Sequence, residues 1–184
     1  MKIIGFAAVV ALTAGSAVAG TQSPVATDPV YGTRAVLPLD GSWTVLDEFI
    51  SVGSLFSGPW SYTSALPVSL DVTDLFVIGD EFSVFVDGGY VGSTPDQPEW
   101  SFYTTDPFDP GFFEGDPNAA WARIEFSKGT FILPAGTHNV DFRSDAIPSG
   151  FNDATIAFRA SPVPAPASLG LVGLAGLVAG RRRR

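Results

Sequence analysis

The chain has 184 residues, 46% apolar and 12% aromatic, with 20 Gly, 15 Pro, one His and no Cys. That is room for one domain with appendages and enough apolar content to exclude full-length disorder. The lack of Cys excludes a disulfide scaffold, a thiolate zinc site, an iron–sulfur cluster and a cysteine nucleophile. Ten basic against 19 acidic residues give a net charge of −9, which argues against a nucleic-acid partner.

The first residues have the layout of a secretory signal peptide. Lys2 supplies the positive start, and Ile3 to Leu12 is an apolar run too short to span a bilayer. Ala17-Val18-Ala19 then puts small residues at the two positions that signal peptidase reads. Residues 1–19 are therefore expected to be removed after Ala19, with Ala17 and Ala19 as the cleavage signal.

Residues 20–161 read as a single all-β domain. Strong helical periodicity is absent, and short β-rich runs are bounded by Gly, Pro and Asp. Along Pro67 to Thr73, Val68, Leu70 and Val72 alternate with Ser69, Asp71 and Thr73. Phe82, Val84 and Val86 alternate with Ser83, Phe85 and Asp87, and Asp87-Gly88-Gly89 predicts a hairpin turn returning through Tyr90 and Val91. Further strands are predicted at Ile124 and Phe126, at Phe131 to Leu133, through His138, Val140 and Phe142, and at Ile156 and Phe158, ending before Pro162. Seven to nine short strands of this kind predict a β-sandwich with a jelly-roll-like arrangement.

Between Gly20 and Ser161 lie five basic and all 19 acidic residues, a charge of −14. Ala35 to Ala122 holds 14 carboxylates and no Lys, Arg or His. Such a surface repels nucleic acid, anionic lipid and acidic polysaccharide at low salt, and tolerates divalent cations. Its plainest role is to keep an exported protein dispersed.

Ser93 to Ala120 is rich in Pro and aromatic residues and has no cation. A long irregular stretch in a compact domain is often functional. Trp100 and Tyr103, with Trp121 just beyond, could stack on the C–H faces of sugar rings, with Asp106 and Asp116 nearby to accept hydroxyl hydrogen bonds. The competing reading is that these rings pin the loop to the sandwich. Asp106, Asp109, Glu114 and Asp116 fall close together on an irregular backbone, the donor type that calcium needs, although neither EF-hand nor RTX spacing is present. Calcium is the one cofactor this sequence suggests.

Catalytic signatures are thin. His138 is the sole His and sits in an alternating strand, no GxSxG elbow exists, and no phosphate-binding GxxxxGK[ST] loop is found. Paired carboxylates could hydrolyse a glycoside, but 19 acids make chance pairs common. No catalytic residue is assigned.

Residues 162–184 form a three-part tail. Val163-Pro164-Ala165-Pro166 breaks the chain, an uncharged stretch rich in Ala, Leu, Val and Gly follows to Gly180, and Arg181, Arg182, Arg183 and Arg184 close it. As a helix the apolar stretch would reach roughly 21 Å against a hydrocarbon core of about 30 Å. Arginine snorkelling and local thinning can cover part of that gap, and the arginines favour the cytoplasmic side.

This order of Pro-x-Pro motif, apolar helix and arginine cluster resembles a PEP-CTERM sorting tail, with Ala165 where the name-giving Glu would stand. The resemblance implies a Gram-negative bacterium, export, transient anchoring in the inner membrane through the C-terminal helix, and recognition by an exosortase after signal peptidase has acted. It also implies a cell-envelope or exopolysaccharide-matrix setting. The stretch from Asp74 to Thr94, "DLFVIGDEFSVFVDGGYVGST", resembles segments of other small secreted β-domains. The expectation is a non-catalytic, exosortase-sorted surface or biofilm-matrix protein; the alternatives are a carbohydrate- or calcium-binding module and a glycan hydrolase.

Overall fold

Alternation of apolar and polar side chains is what lets a strand bury one face, and here it builds two sheets. The computed structural model describes residues 35–164. The signal-peptide positions Ala17 and Ala19, and Ala165, Pro166 and Arg181 to Arg184 of the tail, lie outside the described residues. Eleven strands are present among the described residues: β1 Ala35–Val36, β2 Thr44–Glu48, β3 Trp60–Ser64, β4 Val68–Asp74, β5 Phe76–Val77, β6 Glu81–Val86, β7 Gly89–Ser93, β8 Phe113–Glu114, β9 Lys128–Leu133, β10 Gly136–Ala146 and β11 Ala154–Pro162. One short helix, α1, spans Pro117–Ala122.

The sheets run β1-β3-β10-β6-β7 and β2-β11-β4-β9, with β5 and β8 paired separately. Without β1, β5 and β8, and counting in chain order, the two sheets read 2-7-4-5 and 1-8-3-6. That interleaving is the jelly roll. The β6–β7 hairpin closes where expected: Asp87 and Gly88 both have positive φ, at 49° and 79°, as a two-residue hairpin turn of the primed type requires.

The core lies between the sheets. Val68, Leu70, Val72, Ile156 and Phe158 face Tyr62, Phe82, Val84, Val140 and Phe142. Phe142 of β10 stacks on Phe158 of β11 with centroids 4.6 Å apart, so one ring contact joins the central strands of both sheets.

A second apolar cluster holds Leu75, Ile78, Ala120, Phe126 and Ala157, with Trp43, Phe76, Trp100 and Phe112 packed against it. Ala157 points away from Phe158, so this cluster covers the opposite face of β11. Coverage on both sides explains why Ala154 to Phe158 are all buried instead of alternating.

Two local expectations are corrected. Ile124 and Phe126 are not in a strand. The chain leaves α1 at Arg123 and must turn before β9 begins at Lys128, which leaves Ile124 79% exposed while Phe126 is buried beneath the Arg123 guanidinium, 5.1 Å from the ring centre. The last strand also continues one residue further: Pro162 pairs opposite Val68, and the Val163 N–H donates to the Pro67 carbonyl at 2.8 Å.

Phe158→Ala is expected to cost about 3–5 kcal/mol, whereas Phe49→Ala, at a ring 83% exposed, should change stability by no more than about 0.5 kcal/mol. Urea denaturation of both variants reads the difference, and equal losses would contradict this assignment of the core.

Candidate functional site

The chain crosses from one sheet to the other between the end of β4 and the start of β6, through Asp74 to Asp80. Two buried carboxylates shape this crossover. Asp74 Oδ2 accepts the Gly79 N–H at 2.9 Å, folding the segment back on itself. Asp80 Oδ2 accepts the Thr155 N–H at 2.9 Å, tying the entry to β6 onto β11 of the other sheet. Gly79 is required here. Its φ is 126°, and a Cβ would lie 2.8 Å from that of Glu99. Phe76 also has a positive φ, 66°, a strained conformation for a bulky residue that its surroundings must hold in place.

The remaining oxygen of each carboxylate, Asp74 Oδ1 and Asp80 Oδ1, is buried with no hydrogen-bond partner. Burial pushes the Asp74 carboxyl well above the usual range, and the neighbouring Asp80 pushes it further. Burial raises Asp80 to about 8, with Asp153 and Asp47 adding to the rise and the Thr155 N–H opposing it. At neutral pH Asp80 is therefore largely protonated.

Asp80 lines a pocket of about 360 Å³. Buried Leu75, Val77 and Thr155 accompany it and make the floor. Phe76, Phe113 and Phe151 form the walls, and the exposed rings of Phe49 and Phe108 form the rim. Phe113 lies 5.8 Å from both Phe76 and Phe108. Asp153 supplies a second carboxylate, and the lining contains no cation. Asp47 adds a third carboxyl nearby, its Oδ1 accepting the Thr155 hydroxyl at 3.0 Å.

The aromatic residues singled out in the sequence divide into two groups. Trp100 sits in a single 3₁₀ turn, Trp100–Phe102, and its Nε1–H donates to the Ser149 carbonyl at 3.2 Å. Its ring meets Phe151 edge-on at 6.4 Å, so it backs the pocket wall without lining it. Tyr103 stacks on Phe112 at 4.8 Å. Trp121 lies on α1, where it packs with Trp43 at 6.0 Å. The Arg159 guanidinium lies over both of those rings, at 4.4 Å from Trp43 and 5.7 Å from Trp121, while pairing with Asp71 at 3.0 Å. Trp121 is thus engaged in covering the outer sheet face. Trp100, Tyr103 and Trp121 each pack against other rings.

The four carboxylates considered for calcium are occupied locally. Asp106 Oδ1 accepts the Phe108 N–H at 3.0 Å, Asp109 Oδ1 the Gly111 N–H at 2.8 Å and Glu114 Oε1 the Asp116 N–H at 3.0 Å. Asp116 caps α1 by accepting the Asn118 N–H at 2.9 Å. They act as turn and cap residues, and among the described residues no three such side chains are gathered to hold a metal ion.

His138 places Nδ1 2.7 Å from Asp87 Oδ2 and Nε2 3.2 Å from the Ala135 carbonyl. Both neighbours are acceptors, which favours the imidazolium, and the hydrogen bond to Asp87 raises the His138 pKa. Burial pushes Asp87 upward, but its hydrogen bonds from His138 and the Asn139 N–H outweigh that and hold it below the usual range. The pair fastens the β6–β7 turn to β10.

No family model and no curated protein matches the chain. Among solved structures it is similar to the pre-peptidase C-terminal domain of a collagenase from Bacillus anthracis, at 10% identity over 70% of this chain and 95% of that one, with a TM-score of 0.38. At that score the likeness adds nothing about the site.

The raised Asp80 carboxyl has a testable sign. Its folded-state pKa lies above the ordinary 3.8, so the folded protein holds the proton more tightly and stability falls as pH rises from 3.8 towards 8. The fall should be visible in the thermal midpoint below the ordinary histidine value of 6.5, where His138 does not yet contribute. Asp80→Asn keeps an acceptor for the Thr155 N–H and should reduce the slope, leaving the share that the raised Asp74 carboxyl contributes; an unchanged slope would remove Asp80 from the titration.

Proposed function

We propose that the protein is an exported, non-catalytic protein of the cell surface or extracellular matrix, sorted by an exosortase through its C-terminal tail. The observation that carries this reading is the tail itself: Val163-Pro164-Ala165-Pro166, the uncharged apolar stretch and Arg181 to Arg184, in that order. It is supported by the signal-peptide layout of residues 1–19 and by a β-domain whose last strand stops at Pro162, directly before the Val163-Pro164-Ala165-Pro166 motif. The acidic body suits a dispersed extracellular protein.

The phenylalanine-walled pocket supports ligand binding as the role of the body. A carbohydrate is the favoured class, because aromatic rings offer faces to C–H surfaces and carboxyls offer hydrogen bonds to polar groups. Calcium finds less support, because the carboxylates in the long loop are already engaged in turns.

Absence of catalysis is supported by His138, whose two ring nitrogens already face acceptors and so leave neither to take a proton from a nucleophile. The specific feature that favours hydrolysis is Asp80, a largely protonated carboxyl in one pocket with Asp153. The two readings separate on a reducing-end assay with the producing strain's own exopolysaccharide. No new ends are expected, and ends released by the wild type but not by Asp80→Asn would make this protein a glycan hydrolase.

Sorting is tested in the producing strain by replacing Arg181 to Arg184 with Ala. The wild-type body should be recovered outside the inner membrane with its tail removed, read by intact mass. The variant should accumulate at full tail mass in the membrane fraction. The same mass and distribution for both would overturn exosortase sorting.

A further inference from the structure

We infer that the phenylalanine-walled pocket over Asp80 and Asp153 binds a hexosamine residue through its protonated amino group. The ligand's charge follows from the lining. Two carboxylates face the pocket, Asp47 adds negative charge behind them, and no lining residue carries a positive charge. The Asp153 and Asp47 carboxylates repel an acidic sugar, and a cation placed beside the protonated Asp80 favours its carboxylate form, which a neutral sugar does not. An ammonium group on a sugar meets both demands, charge and ring shape.

The second observation is the orphaned oxygen. Asp80, which lines the pocket, is 3% exposed, spends Oδ2 on the Thr155 N–H, and leaves Oδ1 buried without a hydrogen-bond partner. Natural structures rarely leave such an atom unsatisfied without a reason. An ammonium carries three N–H donors, so one donor can reach a carboxylate oxygen while the others remain for water or Asp153. The rings serve the same guest in two ways: their faces attract a cation and they stack on the C–H face of a pyranose. Phe49 and Phe108 stay 83% and 62% exposed at the rim, where a polymer-borne sugar would have to enter. A volume of about 360 Å³ sits at the small end of the ligand-pocket range and suits a single sugar residue better than an extended chain.

Binding should move a proton. With the pocket empty, Asp80 holds its proton at neutral pH; a cation beside it favours the carboxylate, so the complex forms with proton release. The same charge pairing makes affinity fall with salt.

This inference rests on the matrix reading only in choosing a sugar as the carrier of the amine. The pocket could bind while the tail fails to direct sorting, and sorting could hold with the pocket inert, so the two fail separately.

The test is calorimetric titration of the full-length chain with a glucosamine tetramer, the N-acetylglucosamine tetramer and Nα-acetyl-lysine amide, in two buffers of different protonation enthalpy. Saturable binding is expected for the glucosamine tetramer alone, with proton release at neutral pH. Asp80→Asn should weaken it by about ten- to a hundredfold and abolish the proton release. Should Asp80→Asn fail to fold, Asp153→Asn and Phe108→Ala act at more accessible positions and should each weaken binding without loss of the fold. Equal binding of the N-acetylated tetramer would overturn recognition of the ammonium. Equal binding of the lysine derivative would overturn recognition of the sugar. No binding of the glucosamine tetramer, or binding insensitive to all three substitutions, would overturn the assignment of this pocket.

Discussion

A jelly roll sends its chain repeatedly from one sheet to the other, and each crossing must satisfy backbone groups that have left both ladders. In this protein the crossing from β4 to β6 depends on the Asp74 and Asp80 carboxylates. One closes the segment on the Gly79 N–H, and the other ties it to Thr155 on β11. A buried carboxyl is costly unless it is hydrogen-bonded or protonated, and here each is hydrogen-bonded through one oxygen and driven towards protonation by burial. The crossover thereby fixes the spacing of the two sheets at one end of the core. It also presents Phe76, Val77 and Asp80 to a common pocket, so a device that solves a folding problem positions the site.

The same crossover decides where the long aromatic segment goes. Phe76–Val77 pairs with Phe113–Glu114, so the segment that follows β7 is drawn back over the crossover instead of extending into solvent. From there α1 carries Ala120 and Trp121 onto the outer face of the β2-β11-β4-β9 sheet. Trp43 and Trp121 there flank Arg159 over its ion pair with Asp71. That ion pair gains from partial burial under two rings, a setting in which the cation–π term adds to the Coulomb term. The long segment is thus a second core layer on one side and a pocket wall on the other.

How much of this could be read from residue order varies along the chain for physical reasons. Alternation is plain in β10 and in β4 as far as Val72, so these strands are legible from Val140 and Phe142 or from Val68, Leu70 and Val72, while the end of β4 is buried on both faces. The turn at Asp87-Gly88 was legible because few residues accept positive φ. Ile124 and Phe126 misled because an apolar pair two residues apart marks one strand face only when the backbone is extended, and here a turn sends one side chain out and the other in. The pocket was the least legible part. Phe49, Phe76, Phe108 and Phe151 come from four separate segments, and no local spacing joins them. Asp80 stands beside Glu81 just after a glycine, and sequence does not state burial. The one local signal was Gly79 immediately before Asp80, a glycine whose positive φ and close neighbours demand it. Trp100 and Tyr103 drew notice by their chemistry, yet they support the wall from behind.

Charge ties the site to the rest of the molecule. From Ala35 to Ala122 no cation interrupts the acidic residues, and no cation lines the pocket. Among the described residues the basic side chains are spent elsewhere: Arg123 on Glu125, Arg143 on Asp145, Arg159 on Asp71, and Lys128 on the backbone carbonyls of Trp121 and Arg123. An evenly balanced surface would have offered Asp80 and Asp153 a lysine or arginine within reach, and the buried Oδ1 would then have had a partner. Burying the Asp80 carboxyl with one oxygen unpartnered costs stability. Stability left unclaimed in this way is characteristic of positions where a ligand supplies the missing charge.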